Sequence, residues 1–225
     1  MKKLILAAFA VTAAVSVFAQ GTVQFVNNNS IGTSRVWGPS ATNVFLSLQG
    51  NATSDIPAGS TDYAGHGMVK IGTTGLVGPF GGSTTLAQLL GANNGGQAES
   101  SLVPQGQTTT FRTGSPAGII SLITDTLTSV PKDSLLATFE MVAWDDSSTL
   151  YPTWTEAFPA WTKGLIAAGK SGAFNVQSIG GDSNSPPNMQ IPSFNMYMIL
   201  VPEPSTFALA GMGLAALVAF RRRNQ

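Results

Sequence analysis

The chain has 225 residues, with 11 basic and 11 acidic side chains, one histidine, no cysteine and a formal net charge of zero. The lack of cysteine excludes disulfides, thiolate metal sites and thiol catalysis. His66 as the single histidine excludes a histidine-rich metal centre, and the balanced charge offers no basic surface for nucleic acid.

Residues 1–19 open with Lys2 and Lys3, continue through an apolar run, and close on Val17-Phe18-Ala19. That order of charged, apolar and small-x-small segments predicts a secretory signal peptide, cut by signal peptidase between Ala19 and Gln20. A retained transmembrane helix is the alternative, but the run is short and ends in a good cleavage site. Residues 20–200 remain as one exported domain, long enough to bury a core. Its six basic and ten acidic residues leave it at about −4, because the other cations belong to the two ends of the chain. No nucleic-acid partner is expected of it.

The domain is rich in Gly, Ser, Thr and Asn, with short apolar segments between turn residues, which predicts β structure. Strands are expected over residues 22–26, 44–48, 68–71, 109–112, 119–124, 135–144, 173–179 and 193–200. The strongest is 135–144. Its odd positions Leu135, Ala137, Phe139, Met141 and Ala143 make a continuously apolar face, and its even positions make a mixed face that exposes Glu140. Two stretches depart from the pattern. Leu86, Leu89 and Leu90 predict a helical turn over residues 84–90, stopped by Gly91. Residues 154–168 predict a second short helix, broken by Pro159 or starting near Ala160, with Gly169 as its stop. The fold class expected is all-β: an antiparallel β-sandwich of jelly-roll or Ig-like type with one or two short helices.

Catalytic motifs are scarce. A Ser-His-Asp triad would have to use His66, in the loop sequence Ala64-Gly65-His66-Gly67. No serine occupies a Gly-x-Ser-x-Gly elbow, and Gly78-Pro79-Phe80-Gly81-Gly82 lacks the lysine and spacing of a phosphate loop. Asp145 and Asp146 follow the strongest strand, where paired carboxylates suit Ca²⁺ or glycoside hydrolysis. Neighbouring strand positions alternate faces, so a solvated strand end is the simpler reading. Trp144, Tyr151, Trp154, Phe158 and Trp161 crowd the next stretch. Trp154 or Trp161 exposed beside Asp145 or Asp146 would make a sugar-stacking platform; the alternative is that these rings are core. No metal or cofactor is expected.

The tail is the most informative segment. Val201-Pro202-Glu203-Pro204-Ser205 is followed by an apolar run over residues 207–220 and by Arg221-Arg222-Arg223. A helix of about 14 residues spans only about 21 Å, less than the hydrocarbon core of about 30 Å, so a transmembrane helix placed at 206–220 is a marginal anchor. The arginines favour the cytoplasmic side. Pro202, Glu203 and Pro204 then lie at the outer edge of the membrane in an extended linker, the backbone shape that proteases bind. In this order at the C-terminus, residues 201–225 resemble the PEP-CTERM sorting signal of exported bacterial proteins. Gly21-Thr22-Val23-Gln24-Phe25, Phe111-Arg112-Thr113-Gly114, the run from Ala137 to Asp145 and that from Gly169 to Val176 resemble a group of such proteins from Verrucomicrobia-type bacteria.

The resemblance implies that exosortase recognises Pro202, Glu203 and Pro204 and cuts near them. The body, first anchored in the inner membrane, is then released or attached at the surface, often alongside exopolysaccharide. It assigns no functional residues to the body. The expectation is a non-enzymatic surface or matrix protein. A carbohydrate-binding module using Trp154 and Trp161 beside Asp145 and Asp146 is the alternative, followed by a hydrolase.

Overall fold

The computed structural model describes residues 19–201 together with Met212. The expected signal peptide up to residue 18, and the Pro-Glu-Pro triplet, apolar run and arginine cluster of the tail, lie outside the described residues apart from Met212. Among the described residues, no helix is long and apolar enough to cross a membrane.

In chain order the strands are β1 (Gln20–Phe25), β2 (Asn28–Asn29), β3 (Gly32–Thr33), β4 (Val36–Trp37), β5 (Thr85–Asn93), β6 (Val103–Thr110), β7 (Ile123–Pro131), β8 (Leu136–Asp145), β9 (Ala168–Lys170), β10 (Phe174–Gln177) and β11 (Phe194–Asn195). Helix α1 (Trp154–Thr162) lies between β8 and β9, and a short 3-10 turn, Glu99–Ser101, lies between β5 and β6. The architecture is all-β with almost wholly antiparallel pairing; β4 and β11 form a short parallel pair.

The principal sheet runs β10-β8-β5-β6, with β9 added at the other end of β8. β5 and β8 form its spine, paired from Thr85 against Asp145 to Asn93 against Ala137. Residues 137–144 are all buried, as a strand covered on both faces requires. Ala137, Phe139, Met141 and Ala143 enter the main core with Ala87 and Leu89 of β5, Val23 and Phe25 of β1, and Leu127 and Val130 of β7. Val142 and Trp144 point the other way, into a second core roofed by Trp154, Ala157, Ala160 and Trp161 of α1.

β1 and β7 form a separate two-stranded sheet. It meets the principal sheet at β6 through side chains instead of a backbone ladder. Gln105 Oε1 accepts hydrogen bonds from the amides of Thr128 (2.8 Å) and Ser129 (3.1 Å), while its Nε2 donates to Ser129 Oγ and the Gly91 carbonyl. Two residues on, the Gln107 amide donates to Asp125 Oδ1 at 2.9 Å. Gly106 between them has φ +48°, and a Cβ there would collide with the Asp125 carboxylate.

Several expectations are corrected. Residues 84–90 are not helical: Thr84 lies in a turn and residues 85–90 belong to β5. With both faces buried, Leu86 and Leu90 face α1 while Leu89 faces the main core, so three leucines at helical spacing carried no helical meaning. Residues 44–48 form no strand; Val44 and Phe45 are exposed, and the segment is tied down by Asn195, whose Oδ1 accepts from the Leu48 amide and whose Nδ2 donates to the Leu46 carbonyl. Residues 68–71 and 193–200 shrink to one bridge at Lys70 and the two residues of β11 plus a bridge at Tyr197. The strand expected at 119–124 starts at Ile123 and runs on to Pro131. Glu140, expected to be exposed, is completely buried.

Helix α1 starts at Trp154, not near Ala160. The Thr153 amide donates to Glu156 Oε2 at 3.1 Å, the return half of a capping box. Pro159 is the sixth residue of the helix, so it removes one hydrogen bond, to the Thr155 carbonyl, without ending the helix. The stop is Gly164 rather than Gly169. Its amide donates to the Trp161 carbonyl and that of Leu165 to the Ala160 carbonyl, with Gly164 at φ +67°, a Schellman ending that favours glycine.

Candidate functional site

β8 delivers the two aspartates to the rim of the molecule, where each closes a turn. Asp145 pairs with Thr85 and its Oδ1 accepts from the Ser147 amide at 3.0 Å. The Asp146 amide donates to the Thr84 carbonyl, and its Oδ1 accepts from the Tyr151 amide at 2.8 Å. Both are half-buried. Among the described residues, no group of three or more metal-ligating side chains comes together.

The aromatic residues beyond them turn inward. Trp154 and Trp161 are only 5% and 4% exposed, their ring centroids 5.8 Å apart. Trp154 also packs on Trp144, and Trp161 meets Tyr197 edge-on at 5.2 Å while its Nε1 donates to the Tyr197 carbonyl. A sugar-stacking platform requires an open ring face. Neither tryptophan offers one, so both are core residues that fasten α1 to the outer face of the principal sheet. Phe158, on the outside of the helix, is 43% exposed.

The cluster missed in the sequence lies further along the same face, around Glu140. Its Oε2 accepts from Lys170 Nζ at 3.3 Å, and Glu99 approaches the same nitrogen at 3.8 Å from the 3-10 turn. Oε1 has no hydrogen-bond partner among the described residues. Burial pushes the Glu140 carboxyl up to about 7, a tendency that Lys170 opposes and Glu99 reinforces. The available signal was the position of Glu140 between Thr138 and Val142 on a face that a helix covers further along. A mixed face was read as a wet one.

Glycoside chemistry needs two carboxyls set on either side of an open cleft. Glu140, however, has no solvent exposure, and Lys170 stands between the two acids. The acids named from sequence do not converge either. Glu140 and Asp145 are five residues apart on opposite faces of β8, about 16 Å along the strand, and Glu156 caps α1.

The chain ends complete the set of sequence-derived sites. Gln20 begins β1 opposite Pro131, and the Ala19 carbonyl accepts from the Lys132 amide at 2.9 Å. At the other end the described body stops at Val201, and Pro202, Glu203 and Pro204 lie outside it. Residues 200–223 match the family model described as the PEP-CTERM protein-sorting motif, so the chain carries that motif. No curated protein and no solved structure matches the chain.

Proposed function

We propose that this chain is the precursor of an exported, non-enzymatic surface or extracellular-matrix protein, sorted by exosortase through its C-terminal signal. The observation that carries the reading is the position of the sorting motif. It occupies residues 200–223, C-terminal to β11, the last strand among the described residues, so the address follows the body in sequence. The domain plan is residues 1–19 as a signal peptide removed by signal peptidase, 20–200 as a β-sandwich body, and 201–225 as the sorting signal. Pro202, Glu203 and Pro204 are then what exosortase reads. The segment at 206–220 is a temporary membrane anchor, and the body is left at the cell surface or outside, in contact with extracellular polysaccharide, as in the Verrucomicrobia-type proteins it resembles.

The use of Asp145, Asp146 and Glu156 in turns and a cap supports a scaffold role for the body. Mass spectrometry of the surface-located protein from wild-type and exosortase-deleted cells tests the sorting step. The expected result is a C-terminus near residue 204 in wild-type cells and an intact tail in the deletion strain. An intact C-terminus through Gln225 in both would overturn the proposal.

A further inference from the structure

The body leaves a small apolar surface open at the point where the tail departs. Phe158, Leu165, Leu200 and Val201 are 43%, 64%, 68% and 44% exposed. Phe158 lies on α1 and Leu165 just beyond it, and Leu200 and Val201 run past Gly164 at the end of the helix. Val201 packs beside Gly164, Trp161 binds the Tyr197 carbonyl, and the Phe158 and Trp161 rings lie 6.2 Å apart. The helix ending sharpens the effect. A Schellman ending is commonly accompanied by contact between the residue after its glycine and the last turn, yet here that residue, Leu165, stands largely in solvent. Lys163, also exposed, adds a positive charge at the edge.

Chain length says what faces this surface. Only residues 202–206 separate Val201 from the apolar run that starts at Phe207. Six fully extended steps reach about 20 Å at most. Once the run enters a bilayer, Val201 cannot stand further than that from the membrane, and the surface around it lies within reach of the headgroups. We propose that Phe158, Leu165 and Leu200, with Lys163 beside them, form a membrane-docking face that seats the precursor on the bilayer and holds the linker at the headgroup level. Exposed aromatic and leucine side chains next to a lysine suit a lipid interface with anionic headgroups. This inference rests on the anchored-precursor reading above.

The chain lacks cysteine, so single-cysteine variants carry a spin label at one defined place. The full chain in phosphatidylethanolamine–phosphatidylglycerol vesicles would be labelled at Phe158→Cys, Leu165→Cys, Val77→Cys as an exposed reference, and Ala215→Cys in the tail. Collision rates with oxygen, which concentrates in lipid, and with a water-soluble nickel chelate are then compared. The expected result is high oxygen and low nickel accessibility at 158, 165 and 215, with the reverse at 77.

Nickel accessibility at 158 and 165 equal to that at 77, with 215 in lipid, overturns the docking face and leaves the anchored precursor standing. Low accessibility to both probes at 158 and 165 also overturns it, because the occupant is then protein, the chain's own tail or a second copy. A water-exposed label at 215 overturns the anchor and the docking face together.

Discussion

Two buried carboxyls set the pH response of the body. Asp125 is 1% exposed, and burial raises it to about 6 from 3.8 despite the Gln107 amide. Glu140 rises from 4.5 to about 7, again chiefly through burial. Both hold their proton more tightly in the folded chain than in the unfolded one. Their contribution is therefore complete below the unfolded value and is lost as pH rises through the folded one. Urea unfolding should show stability falling between about pH 4 and 7, by on the order of 2 kcal/mol per group. Asp125→Asn should remove the part of the fall that ends near 6, and Glu140→Gln the part that ends near 7. An unchanged slope in Glu140→Gln would show that Lys170 keeps this carboxylate charged throughout.

Elements here are joined by a few side chains that the sequence does not advertise. Gln105 bridges β6 to β7 where no backbone ladder does, and it satisfies the amides of Thr128 and Ser129. Gln105→Ala should cost about 1–3 kcal/mol in denaturant titrations, the penalty for stranded amides. Trp161→Ala, and separately Trp154→Ala, should cost about 3–5 kcal/mol because each empties a buried site beneath α1. Any loss of polysaccharide affinity in these variants should follow the loss of folded protein, checked by circular dichroism at the binding temperature.

The same distinction explains what could be read in advance. β8 was legible because its alternation of Ala137, Phe139, Met141 and Ala143 continues for a whole strand. β5 was not, because its leucines at 86, 89 and 90 fall at helical spacing, and Ala87 and Gly91 on the face of Leu89 are too small to show a period of two. Thr153 and Glu156 stand at capping-box spacing, but the expected start near Ala160 was drawn from Pro159 alone. Gln105, Asp125 and Asn195 were invisible for a different reason: each acts across tens of residues, and no local pattern encodes a partner that distant. The tail was legible because order along the sequence is the whole of the signal in a sorting motif.

At the scale of the molecule, β5 and β8 belong to both the main core and the core under α1. Neither core can come apart while the other keeps its strands, so the body should unfold as one unit. Tryptophan fluorescence, which reports mainly the core under α1, and far-ultraviolet circular dichroism should give coincident urea transitions. Separated midpoints would show that α1 with its tryptophans melts as an independent layer.

The pairing of β1 also fixes an order of events. In the folded chain, the bond between Ala19 and Gln20 is tied into the sheet, with the Ala19 carbonyl on the Lys132 amide and Gln20 opposite Pro131. Gly21 behind it is so closely packed against Ile179 and Pro131 that no side chain fits there. A peptidase needs that bond extended in its own cleft and cannot take it from a seated strand. On the proposed cleavage between Ala19 and Gln20, the cut therefore comes before β1 docks, and completing this edge of the sheet waits on release from the export machinery.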